Sequence, residues 1–192
     1  LLPDKPMRPR ISDVRIGYFP LRKHIYTEKV DELKKVDYIQ RWRIEPKDED
    51  VERYRNGELV EPKKPIVWYI DPAIPERWRK YIKLGVEDWQ AAFEEIGFKN
   101  AIVAKDYPVD DPDDIRYSCY RYITTETANS MGPAWIDPRS GEIIQADVLF
   151  YHNVIKLLHN WQFVQLAQVD PKVRTKVFDE ETMGRALRYV AA

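Results

Sequence analysis

The sequence is short of the residues that build most recognisable sites. It has a single cysteine, Cys119, in 192 residues, which excludes an internal disulfide and a cysteine-based zinc site. There are only 7 glycines, none in a G-x-G or G-K pair, so neither a phosphate-cradling loop nor a G-x-S-x-G nucleophile elbow is present. The three histidines, His24, His152 and His159, are far apart. None has H-E-x-x-H spacing, and each reads more readily as a surface or hydrogen-bonded side chain than as a metal ligand. Unbroken apolar runs are only a few residues long, too short for a transmembrane helix. The start, Leu1-Leu2-Pro3-Asp4-Lys5-Pro6, is proline-interrupted and charged, unlike a signal peptide. Charge of one sign is also lacking: 31 Lys and Arg against 32 Asp and Glu give a net charge of -1. That balance argues against nucleic acid as the main partner.

What is present is a globular mix, 44% hydrophobic and 33% charged, with enough apolar side chains for a core under a well-solvated surface. Residues 1–64 carry 16 basic and 13 acidic residues, net +3, with many prolines, and read as an arm and connector. Arg15–Phe19 and Tyr38–Ile44 have strand character. Glu28–Lys35 reads as a solvated turn or short helix, and Asn56-Gly57 as a turn.

From Pro65 the pattern sharpens into a domain over 65–192. Ile66–Ile70 is a continuous apolar run, as in a strand covered on both faces. A long helix should follow, with Pro75 in its first turn, Gly97 as terminator and the stripe Trp78, Ile82, Val86, Trp89, Phe93 and Ile96. Ala101–Ala104 is the next strand, so strand, helix and strand make a right-handed parallel βαβ unit. Asp106–Asp114 is acidic, and calcium favours clustered oxygens. Pro108, Pro112 and the missing EF-hand glycine make it read as a solvated loop. Ile115–Ile123 alternates as a strand, with Cys119 a packed side chain rather than a nucleophile. Met131–Asp137 and Glu142–His152 flank the turn Asp137-Pro138-Arg139-Ser140-Gly141. Pro133 confines the first of these arms to a sheet edge. A helix near Val154–Gln168 ends at Asp170-Pro171. The last helix, over Phe178–Ala192, is capped by Asp179 with Glu180 and Glu181 behind it. Its stripe is Met183, Leu187 and Val190. With no glycine, asparagine or proline to stop it, it is expected to continue beyond Ala192. The apolar stripe is then expected to be uncovered and to drive self-association. No catalytic constellation emerges from motif spacing.

Several runs nevertheless resemble a known family. They are Arg41-Trp42-Arg43-Ile44-Glu45-Pro46, the stretch Val60–Pro72, Gly85-Val86-Glu87-Asp88-Trp89-Gln90, and Gly97-Phe98-Lys99-Asn100-Ala101-Ile102. Met131-Gly132-Pro133, Asp137–Ile143, Ala146-Asp147 and Tyr151-His152-Asn153 complete the set. Together they resemble large bacterial zinc-dependent metalloproteases of the metzincin type. The resemblance implies an α/β domain with a twisted, mixed five-stranded sheet bearing an antiparallel edge strand. A long backing helix and the start of the active-site helix accompany the sheet, and an extended N-terminal arm precedes it. It implies that the zinc motif H-E-x-x-H-x-x-G-x-x-H would begin directly after Ala192. The chain itself would then hold no zinc ligand and no catalytic residue and would be inactive alone. It also implies an exported parent acting on a peptide or protein. By resemblance, the substrate-binding edge is Ser130, Met131, Gly132, Pro133, Ala134 and Trp135, where an extended peptide would add a strand. Pro133 weakens that ladder, and an edge that binds nothing is the competing reading. A different class, a non-catalytic interaction or scaffold domain, is compatible with the balanced charge and the missing motifs.

Overall fold

The computed structural model describes residues 2–108, 114–169, 171–174 and 179–192. In chain order the strands are β1 (Pro20–Ile25), β2 (Lys34–Ile39), β3 (Ile66–Ile70), β4 (Ile102–Asp106), β5 (Ser118–Ile123), β6 (Ser130–Met131), β7 (Ala134–Asp137), β8 (Glu142–Ala146) and β9 (Val148–Tyr151). The helices are α1 (Val51–Arg55), α2 (Glu76–Asp88), α3 (Gln90–Glu95), α4 (Val154–Leu166) and α5 (Glu180–Ala191). They form two compact units, one of Leu1–Arg43 with Ala134–Ala146, the other of Ile44–Pro133 with Asp147–Ala192. Residues 44–64 therefore group with the second unit, and the β7–β8 hairpin groups with the arm.

The second unit is mixed α/β, built on a five-stranded sheet in the order β4-β3-β5-β9-β6. β3 runs parallel to β4 and to β5, β5 runs parallel to β9, and β6 alone is antiparallel. The expected parallel strand–helix–strand order is present: Ile66 and Ile70 are buried, and β4 pairs in parallel beside β3. α2 buries Trp78, Ile82 and Val86, the first half of the expected stripe. Fully burying a side chain such as Ile82 contributes about 1.5–3 kcal/mol.

The helix does not run unbroken to Gly97. It ends at Asp88, and α3 starts at Gln90, leaving Trp89 (51%) and Ile96 (55%) exposed. Two packing demands pull the segment apart. α2 lies on α5, whereas α3 brings Phe93 to the cluster of Val60, Phe98 and Ala101. Gln90 fixes the new direction: its Oε1 accepts from Ala101 N at 3.0 Å and its Nε2 donates to Phe98 O at 3.3 Å. Gly97, at φ 92, then closes α3 as expected.

β5 begins at Ser118, later than Ile115, and Ser118, Cys119 and Tyr120 are all buried. α4 lies where the sequence predicts a helix, although the proposed break at Asp170 falls outside the described residues. So does the start of the last helix at Phe178. Asp179 caps α5, its side chain accepting from Thr182 N at 2.7 Å. The expected uncovered stripe of Met183, Leu187 and Val190 is corrected: Met183 and Leu187 are buried and Val190 is half-buried, because α5 lays that face on α2. The approach is close enough that a Cβ on Gly184 would strike the Tyr81 ring. Self-association through Met183 and Leu187 therefore loses its basis. Among the described residues no helix is long and apolar enough to cross a membrane.

The first unit has little apolar interior, chiefly Met7, Ile39 and Ala146, beside buried Asp137, Ser140, Glu142 and Gln145. The strand expected at Arg15–Phe19 is displaced to Pro20–Ile25. Asp13 makes a local turn instead, its Oδ1 accepting from Arg15 N at 3.0 Å. β2 likewise ends at Ile39 rather than Ile44.

The β7–β8 turn is the one read from the sequence, with Gly141 at φ 78. A Cβ there would collide with the Ile39 carbonyl. Arg41 N donates to Gly141 O at 3.0 Å, and Ile143 N donates to Arg41 O at 2.9 Å. Arg43 makes a two-pronged contact with Glu142, at 2.8 and 2.7 Å. The guanidiniums of Arg139, Arg43 and Arg41 then hold three carbonyls of the extended N-terminal segment. They donate to Pro3 O (2.6 Å), Lys5 O (2.7 Å) and Arg8 O (2.9 Å) respectively.

Candidate peptide-binding edge

β6 precedes β9 in the chain but lies outside it in the sheet, so the chain passes to the rim before returning to fill the gap beside β5. β9 is anchored by Phe150, which is fully buried, while Ser130 and Met131 are exposed. The register pairs Ser130 with Phe150 and Met131 with Leu149. Ser130 Oγ donates to Leu149 O at 3.1 Å, and Tyr151 OH donates to Met131 Sδ at 3.8 Å. Beyond β6 no further strand pairs among the described residues. Its outer side is thus an edge on which an extended chain could be hydrogen-bonded.

The six-residue edge expected from the sequence is not one strand. Ser130 and Met131 form β6, and Gly132 and Pro133 carry the chain onward. Ala134 and Trp135 belong to β7 in the other unit, opposite Ala146 and Gln145. Asp147 explains the division. Its N–H donates to Pro133 O at 2.9 Å, and its Oδ1 accepts from Cys119 N at 3.0 Å. It therefore breaks the expected strand Glu142–His152 into β8 and β9 and fixes Pro133 at the point of departure.

At the carboxyl ends of the parallel strands is a polar group that motif spacing did not find. Asp71, next after β3, accepts from Tyr122 N at 3.0 Å and from Ala73 N at 2.8 Å. The Tyr122 hydroxyl is hydrogen-bonded to Nδ1 of His152, with its ring stacked on Phe150 at 6.2 Å and edge-on to His152 at 5.9 Å. Burial pushes the Tyr122 hydroxyl pKa up, and Arg77 partly opposes this. The only hint in the sequence is that Asp71 and His152 each directly follow an apolar strand. The arrangement aligns strand ends and fixes an imidazole; it presents no activated nucleophile. Cys119 is fully buried, and burial, with Asp71 and Asp147 nearby, pushes its thiol up to about 12. It is a packed side chain, in keeping with its sequence setting.

The described residues do not fit a catalytic zinc, which needs about three protein ligands. His24 is on β1, His152 is bonded to Tyr122, and His159 is on α4. Among the described residues no three His, Cys, Asp or Glu side chains are grouped to hold a metal ion. Most of the acidic loop considered for calcium, residues 109–113, lies outside the described residues. At its ends Asp106 pairs with Lys83 at 2.8 Å and Asp114 with Arg116 at 2.5 Å. The Arg116 guanidinium holds the Asp114 carboxyl at about 2.

Residues 1–47 match a family described as a domain of unknown function, DUF5117. The matched stretch covers the arm through β2 and the first residues of the second unit. No curated protein and no solved structure matches the chain.

Proposed function

We propose that this chain is the non-catalytic front part of an exported zinc-dependent metallopeptidase domain of the metzincin type. It supplies the sheet, the backing helix and the rim of a peptide cleft. The observation that carries the reading is the placement of β6: within the five-stranded sheet it alone runs antiparallel, it lies at the rim, and it enters the chain before the inner strand β9. The resemblance implies this order of elements, a strand, a long helix, two strands, an antiparallel edge and a last strand.

In this reading the chain's own contribution is binding. The outer backbone groups of β6 hydrogen-bond an extended substrate, and exposed Met131 offers an apolar contact to one of its side chains. Zinc would be held by residues after Ala192 and would supply the activated water; nothing in the described residues takes that role.

The test is to express the gene product extended past Ala192 and assay protein cleavage with and without a chelator, beside the 192-residue chain. Chelator-sensitive cleavage by the extended protein, with no stoichiometric zinc on the shorter chain, is the expected result. A natural terminus at Ala192, or tightly bound zinc on the shorter chain, overturns the reading. The natural terminus would leave the interaction or scaffold function.

A further inference from the structure

We infer that the outer edge of β1 takes an extended acidic segment of a partner polypeptide as an added strand. The inference concerns the first unit alone and is independent of the peptidase reading.

The two sides of the β1–β2 sheet differ. β1 and β2 pair from Pro20↔Ile39 to Ile25↔Lys34, and Gln40 N donates to Phe19 O at 3.2 Å. That register turns the amides and carbonyls of Leu21, Lys23 and Ile25 toward β2 and those of Arg22 and His24 outward. The far side of β2 is taken: Ser12 N donates to Asp37 O at 2.7 Å, and Ile39 N donates to Arg10 O at 3.0 Å. The far side of β1 has no strand against it among the described residues. Pro20 sits at an outward position, where its missing N–H costs the inner ladder nothing.

Charge selects the occupant. The two strands carry Arg22, Lys23, His24, Lys34 and Lys35 against one carboxylate, Asp37. Asp37 is already bound by Arg22, in two contacts of 3.0 Å. A second copy would lay this cationic strand against itself, which is destabilising, and lysines with Pro20 are a usual defence against such pairing. An acidic strand meets no such barrier. The acids Glu28, Asp31 and Glu32 all follow Ile25 in the hairpin connection. The partner's carboxylates are therefore expected opposite residues 20–24. Phe19 (83% exposed) and Tyr26 (74% exposed) flank the strand and offer apolar contacts at both ends.

The probe is a fluorescent synthetic peptide alternating Glu and Val, titrated into the 192-residue chain at low and moderate salt. It is expected to bind about tenfold or more tightly than the same peptide N-methylated at alternate residues, and than a Lys-Val version. His24→Pro deletes an outward N–H without touching the inner ladder, and should weaken binding about tenfold with circular dichroism unchanged. Should that proline disturb the strand, Lys35→Glu, at an exposed position, should weaken the Glu peptide and favour the Lys peptide. Equal affinity for the N-methylated peptide would reduce the contact to general attraction of polyanions. That result, or absence of binding, overturns the proposal.

Discussion

The backbone of Gly85 on α2 lies directly against the Arg188 carbonyl of α5, with no room for a methyl group between them. Asp88, one turn on, receives the Arg188 guanidinium. The two helices are thus in backbone contact at one level and clasped by an ion pair at the next.

Gly85→Ala is expected to destabilise the second unit even though alanine favours a helix by about 1 kcal/mol. The obstacle is backbone, and overpacking of this kind costs about 1–3 kcal/mol. Gly184→Ala should cost less, because its obstacle is the Tyr81 ring, which can turn aside. Urea denaturation of the two variants measures the order, and a larger loss for Gly184→Ala would contradict it.

In the first unit, Arg43→Met leaves the buried carboxylate of Glu142 without its two-pronged partner and releases the Lys5 carbonyl. Removing one partner of a buried pair costs about 3–5 kcal/mol; partial exposure of Arg43 puts the expected loss near the lower end. Hydrogen exchange should quicken in β7 and β8 and leave the β3 amides protected. Uniform loss of protection would show instead that the whole chain unfolds as one.

Acid should loosen the same hairpin. The Arg139 guanidinium holds the Asp137 carboxyl below its ordinary pKa, against the opposing effect of burial. A depressed folded pKa stabilises fully above the unfolded value, near 4, and the contribution is lost as pH falls through the lower folded value. Arg139 N donates to Asp137 Oδ1 at 2.8 Å, so the chemical shift of that amide reports the titration directly. In Asp137→Asn the shift should stay flat over the same range.

Cys119 should resist alkylation at pH 8 in the folded chain and react on unfolding, since its thiol is both enclosed and pushed up to about 12. Mass spectrometry after iodoacetamide decides this. Rapid labelling under native conditions would show that β5 opens readily.

Elements specified by near neighbours were legible in the sequence. The run Ile66–Ile70, the Asp179 cap and the Asp137–Gly141 turn each depend on residues within a few positions. The break at Trp89 was not legible, because it depends on Gln90 reaching the amides of the following strand. The split of the expected edge strand was hidden too: Asp147 bonds to Cys119, 28 residues earlier, and no periodicity encodes that. Tyr122 and His152 are brought together only by the β5–β9 pairing, so the polar group at the strand ends had no linear signature. The joining of the arm to a hairpin, through Arg43 and Glu142, spans 99 positions and rests on ion pairing rather than an apolar stripe. A pattern of hydrophobicity is blind to it.

Because the β7–β8 hairpin is inserted between two strands of the sheet yet belongs with the arm, the polypeptide passes from one unit to the other three times, at residues 43/44, 133/134 and 146/147. A single scission cannot part them. A protease nicking the chain after Arg43 would leave the liberated piece still joined to the insertion, by Arg139 on the Pro3 carbonyl and by Arg43 on Glu142, and both fragments should travel together through a sizing column. The arm is thus not a detachable cassette: any gene rearrangement that deletes it strands the hairpin without its counterpart.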